Sequence, residues 1–148
     1  MTKKERATAL FCEGYNCAQA VFIAFAEDRM PTQQAAALAS SFGGGMGGMR
    51  EVCGAVSGMI LAYGYLQGYS DPKDSAAKQA HYKAVQEMMT RFKEERGSYI
   101  CRTLLGLDDD KPRMPQERTP AYYDKRPCPG LVGCAAEILE EKLKDTAN

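Results

Sequence analysis

Apolar positions along the chain recur at steps of three and four, and they mark out helices. In residues 3–13, Ala7, Leu10 and Phe11 share one face, and Gly14 is placed to stop the helix. Residues 17–27 are apolar nearly all round, which predicts a central helix with Asn16 as its N-cap. Pro31-Thr32 breaks that segment and opens an alanine-rich helix over 32–41. Over 51–66, a core stripe runs through Val52, Ala55, Val56, Met59, Ile60, Tyr63 and Leu66. Ser70-Asp71-Pro72 predicts the start of a long charged helix from 72 to 96, stopped by Gly97.

Ser98 caps a short helix from Tyr99 to Leu105. Pro127-Cys128-Pro129 opens the last helix, to Lys144, with Leu131, Cys134 or Ala135, Ile138 and Leu139 on its apolar stripe. Residues 107–127 carry Pro112, Pro115, Pro120 and Pro127 and read as a loop long enough to suggest function. No run alternates with period two, and no Asn-Gly or Asp-Gly hairpin signal occurs. The expectation is an all-α, single domain over residues 1–148, a compact bundle of five to seven helices.

Charge narrows the partners. Nineteen basic and 19 acidic residues give a formal net charge of +0, so the basic footprint of a nucleic-acid binder is missing. No apolar stretch approaches the length of a membrane span. Met-Thr-Lys-Lys-Glu-Arg has no apolar stretch of a secretory signal behind it, and the expected compartment is the cytoplasm. In a reducing compartment six cysteines point away from a disulfide framework, toward redox chemistry or metal binding. The spacings Cys12-x4-Cys17 and Cys128-x5-Cys134, with Cys53 and Cys101 isolated, contain no Cys-x-x-Cys pair. A shared site therefore has to be assembled from distant parts of the chain.

The strongest local signal is Ser40 to Gly58. Five glycines occupy six positions, 43 to 48, and Cys53-Gly54-Ala55-x-x-Gly58 follows before an apolar helical run. Cys17, Cys53, Cys101 and Cys128 share one expected placement, the first turn of a helix, where unpaired amides and the helix dipole favour a thiolate. Arg50, Arg102 and Arg126 lie close to them in sequence. Gly44, Gly45 and Gly47 are candidate binding positions, their backbone able to approach Cys53 and point amides at a thiolate or anion. A tight helix connection explains the same glycines equally well. Gly43-x-Gly45-x-x-Gly48 matches a dinucleotide fingerprint only formally, because a helix rather than a strand is expected before it.

Cys134 reads as core filler, and Cys12 as a bystander or a resolving thiol. His81 is the only histidine and reads as a surface or packing residue. No carboxylate pair marks itself as a general acid or base.

At these residues the chain resembles the C_GCAxxG_C_C family of redox-active proteins. The matching pieces are Gly14-Tyr15-Asn16-Cys17-Ala18-Gln19-Ala20-Val21 and Phe42-Gly43-Gly44-Gly45-Met46-Gly47 leading to Cys53-Gly54-Ala55-Val56-Ser57-Gly58. They continue with Arg91-Phe92-Lys93-Glu94, Gly97-Ser98, Cys101-Arg102 with Leu105-Gly106, and Cys128 with Leu131-Val132 and Ala135-Ala136-Glu137-Ile138-Leu139. The resemblance implies a small, mostly helical, cytoplasmic redox-active or metal-binding protein. Its four cysteines fall on Cys17, Cys53, Cys101 and Cys128, and Cys12 and Cys134 look like additions.

Three readings stand at this point. The first is a thiol oxidoreductase in which a low-pKa cysteine, foremost Cys53, attacks a disulfide or peroxide-like substrate and a second cysteine resolves the mixed disulfide, the partner being a redox partner or a small thiol/disulfide substrate. The second is a metal ion or iron–sulfur cluster held by Cys17, Cys53, Cys101 and Cys128. The third is a non-enzymatic helical binding module, and a homodimer is compatible with any of them.

Overall fold

The computed structural model describes residues 1–147. Its helices are α1 Lys3–Cys12, α2 Cys17–Ala26, α3 Thr32–Ala39, α4 Gly54–Gln67, α5 Ser75–Arg96, α6 Cys101–Leu104, α7 Pro120–Lys125 and α8 Cys128–Ala147. Among the described residues these are eight helices and no strand, so the all-α expectation holds. None is long and apolar enough to cross a membrane.

The centre of the fold is α2. Asn16 starts it with a reciprocal cap: its side-chain oxygen accepts from the Gln19 amide at 2.8 Å, and the Asn16 amide donates to Gln19 Oε1 at 3.0 Å. Every residue from Ala18 to Ala26 except Gln19 is buried. Its neighbours are α1, α3, α4 and α8. The closest crossing is with α4, and the Gly54-x-x-x-Gly58 spacing explains it. A Cβ on Gly58 would lie 2.5 Å from the Ala18 carbonyl oxygen, and one on Gly54 would lie 3.1 Å from Cys17 Cβ. Glycines one helical turn apart therefore let the two backbones touch. In contrast, α5 lies on the outside and buries only Ala84, Met88 and Phe92.

Several boundaries differ from the sequence expectation. The short helix expected over 99–105, with Ser98 as its cap, runs Cys101–Leu104 with Ile100 at the N-cap, because residues 99–101 are drawn into backbone pairing. Residues 51–53 are extended rather than helical, since they pair with 99–101: the Cys53 amide donates to the Tyr99 carbonyl at 2.8 Å and the Cys101 amide to that of Glu51 at 2.6 Å. This makes Cys53 the N-cap of α4 rather than a first-turn residue. The long helix begins at Ser75 rather than at Pro72 because Asp74 caps it, accepting from the Ala77 amide at 3.0 Å. The loop over 107–127 contains α7, capped by Thr119 Oγ1 accepting from the Tyr122 amide at 3.2 Å.

That loop is tied down. The Arg113 amide donates to the Gly48 carbonyl at 2.9 Å. Arg118 donates to the carbonyls of Phe11 at 3.2 Å and Tyr15 at 3.1 Å, with its guanidinium 4.4 Å from the centre of the Phe11 ring. The proline-rich segment thus forms a wall over the starts of α2 and α8.

Candidate functional site

The glycine segment makes a left-handed turn around the thiols. Gly44, Gly45, Met46, Gly47, Gly48 and Arg50 all have positive φ. At Gly45 (φ +70°) only glycine suits the backbone, and there is no room for more: a Cβ would sit 2.7 Å from Cys101 Cβ and from the Glu51 amide nitrogen. The turn therefore delivers Arg50 and the extended residues 51–53 directly beside Cys101.

Cys17, Cys53, Cys101 and Cys128 line a single cavity of about 60 Å³. Four helix starts, those of α2, α4, α6 and α8, meet there. All six cysteines are free thiols. Cys12 is exposed on α1, and Cys134 is buried on α8 with its sulfur 3.2 Å from Glu95 Oε2, outside the cavity. Of the candidate glycines, Gly44 and Gly45 border the thiol cavity, and Gly47 borders an outer chamber of about 210 Å³ above it.

The four thiols are not equivalent. Cys17 and Cys128 line the same cavity, and their thiols influence each other's ionisation. A hydrogen bond from the Cys17 thiol, with the nearby charges of Arg126, Arg118 and Arg50, brings Cys128 down to about 7 against the opposing effect of burial. The same contact, together with burial, pushes Cys17 well above the ordinary thiol range. The charges of Arg126, Arg118 and Arg50 thus favour the anion on Cys128 over Cys17.

Burial pushes Cys53 up to about 12, although the amides of Ala55 and Val56 at the start of α4 favour its anion. Those amides lie toward the sulfur without closing a side-chain cap of ordinary hydrogen-bond geometry. Helix-start placement alone pointed to Cys53 as the lead thiolate, but desolvation outweighs the helix end there. Cys101 accepts from Arg50 Nη1 at 3.5 Å.

The arginines complete the site. Arg50 and Arg126 border the cavity, whereas Arg102 turns away to Glu51 Oε1 at 3.2 Å and the Arg50 carbonyl at 3.3 Å. Sequence reading missed Arg118 and Tyr122. Both sit in the segment read as loop, and their only signal was its length. The Tyr122 ring carries Arg118 at 4.8 Å and Arg126 at 5.0 Å, and burial holds its phenol above the ordinary range, so it stays neutral.

The four thiols line one cavity, yet among the described residues no group of three or more His, Cys, Asp or Glu side chains is arranged to hold a metal ion. Gly43-x-Gly45-x-x-Gly48 follows α3 and a single 3₁₀ turn, not a strand, and so lacks the setting of a dinucleotide site. His81 is partly buried on α5, stacked on Tyr63 at 4.9 Å between ring centres, in a packing role away from the thiols.

A family model described as "Putative redox-active protein (C_GCAxxG_C_C)" matches residues 15–142. No curated protein and no solved structure matches the chain.

Proposed function

The chain belongs to the C_GCAxxG_C_C family, described as redox-active, and from that premise we propose that it is a dithiol redox protein whose working pair is Cys128 and Cys17. The observation that carries the reading is one small cavity lined by Cys17 and Cys128 together with Arg50, Arg118 and Arg126, whose charges favour an anion on Cys128 while Cys17 is pushed up. Such asymmetry is what dithiol exchange needs: one thiol ionised near neutral pH to attack, and a protonated neighbour to resolve.

The Cys128 thiolate attacks one sulfur of a disulfide, forming a mixed disulfide and expelling the other half as a thiolate. Cys17, on losing its proton to the departing group, attacks the Cys128 sulfur. A Cys17–Cys128 bond forms as the bond from Cys128 to the substrate breaks, and the second half leaves as a thiolate that takes a proton from solvent. The substrate gains two electrons from the protein, one proton from Cys17 and one from solvent. An external thiol or dithiol reductant returns the pair to its starting state. Cys53 is buried and protonated, and its segment 51–53 pairs with 99–101, which carries Cys101. This suits a second dithiol that takes over the bridge, more than an initial nucleophile.

The test is to treat fully reduced protein with one equivalent of a small disulfide and map the products by mass spectrometry. The expected product has lost two hydrogens and carries a reducible Cys17–Cys128 bridge. A protein that forms no reversible bridge, and that purifies anaerobically with stoichiometric iron or zinc, refutes the dithiol reading in favour of a four-cysteine metal centre.

A further inference from the structure

The chamber above the thiols has more positive charge than a dithiol requires. It shares Asn16, Gly44, Arg50, Arg118, Tyr122 and Arg126 with the thiol cavity and adds Arg113. No carboxylate lines either space. Arg113 is paired with Asp109 at 3.1 Å, but among the described residues Arg50, Arg118 and Arg126 have no acidic partner. One thiolate offsets one of these three charges, so the chamber keeps a net positive field.

Arg50 is the telling residue. It is only 8% exposed, and its Nε has no hydrogen-bond partner. A buried guanidinium with an unused donor carries an uncompensated desolvation cost. Its backbone also holds φ +60°, costly for a residue with a side chain. Arg50 borders both the thiol cavity and the outer chamber, and its Nη1 donates to Cys101 Sγ, so its positive charge is held at the junction of the two spaces. Arg118 is held by the Phe11 and Tyr15 carbonyls and the Phe11 ring whether or not anything is bound. The positive surface is therefore built in advance.

Resting on the dithiol reading above, we propose that this chamber binds the anionic end of the substrate, which makes the protein selective for small disulfides bearing a carboxylate or phosphate, with Arg50 and Arg126 as the specificity-determining residues. The thiol cavity, at about 60 Å³, admits little more than the reacting sulfur. The rest of such a molecule has to lie in the arginine chamber.

The test separates this claim from the redox reading, because it needs no turnover. Reduced full-length protein is alkylated with anionic iodoacetate or neutral iodoacetamide, and the rate at Cys128 is followed by mass spectrometry. The iodoacetate-to-iodoacetamide ratio should exceed that of free cysteine by about tenfold. It should drop by roughly threefold in Arg126→Gln and in Arg50→Gln, and Arg126→Gln carries the test if Arg50→Gln fails to fold. Inorganic phosphate or acetate should protect Cys128, and whichever protects at lower concentration identifies the charged group.

A ratio equal to that of free cysteine and unchanged in Arg126→Gln overturns the proposal, as does a Cys128 that neither reagent reaches. A raised ratio in a protein that reduces no disulfide leaves the anion site standing and removes the redox reading. Reduction of glutathione disulfide and cystamine at equal rates does the reverse.

Discussion

Replacing Cys17 by alanine should move the ionisation of Cys128 upward. An ordinary thiol titrates near pH ~8.5, and Cys128 is brought down to about 7. That difference favours the anion by roughly 2 kcal/mol and leaves about half of Cys128 ionised at neutral pH, against about 3% for an ordinary thiol. The hydrogen bond from Cys17 is the largest favourable cause, ahead of Arg126, Arg118 and Arg50, while burial opposes all of them. A hydrogen bond to a charged acceptor is worth about 1.5–3 kcal/mol, so its loss should raise the midpoint by about one to two pH units.

The assay is the ultraviolet absorbance of the thiolate against pH, paired with the pH dependence of Cys128 alkylation. Cys17→Ser supplies the decisive control. Its hydroxyl can still donate to the sulfur, so it should hold the midpoint close to the parent value while forming no bridge. If Cys17→Ala titrates like the parent, the Cys17–Cys128 hydrogen bond does not set the ionisation of Cys128, and the choice of attacking thiol loses its basis.

The thiols also make stability depend on pH. The folded value of Cys128 lies below its unfolded one, so its contribution is present above pH ~8.5 and is lost as pH falls through about 7. Cys53 acts in the other sense: its contribution is whole below pH ~8.5 and drains away as pH rises toward about 12. Urea midpoints should therefore decline above pH ~8.5, and Cys53→Ala should flatten that decline; an unchanged alkaline slope contradicts the burial argument. Gly58→Ala should cost roughly 1–3 kcal/mol in urea unfolding, because its Cβ meets the Ala18 carbonyl 2.5 Å away and must push α2 from α4. Asn16→Ala should cost about 1 kcal/mol through the lost α2 cap, and wild-type stability in that variant counts against the cap. Cys12→Ser combined with Cys134→Ser should leave the yield of the Cys17–Cys128 bridge unchanged, since neither sulfur borders the cavity.

Much of this protein is local in origin, and the sequence by itself determined that part. Period-three-and-four apolar spacing set the helices, Asn16 marked the start of α2, and all four family cysteines stand at or next to a helix start. These signals act within a few residues of one another, so a linear string carries them. The start of α4 was misplaced for the opposite reason, because residues 51–53 pair with residues nearly fifty positions away.

What only the tertiary structure decided is the chemistry of the thiols. Four helix starts can point anywhere until packing brings them together, and the glycines at 54 and 58 do so by letting α4 touch α2. Which sulfur ionises then depends on burial, on the mutual influence of Cys17 and Cys128, and on the guanidiniums of Arg50, Arg118 and Arg126 gathered at one cavity. Desolvation and Coulomb energies are sums over neighbours in space. Of the arginines only Arg126 is a sequence neighbour of Cys128, and its direction was not legible, so Cys53 looked like the reactive thiol until the fold brought Arg118 and Arg50 to the same cavity.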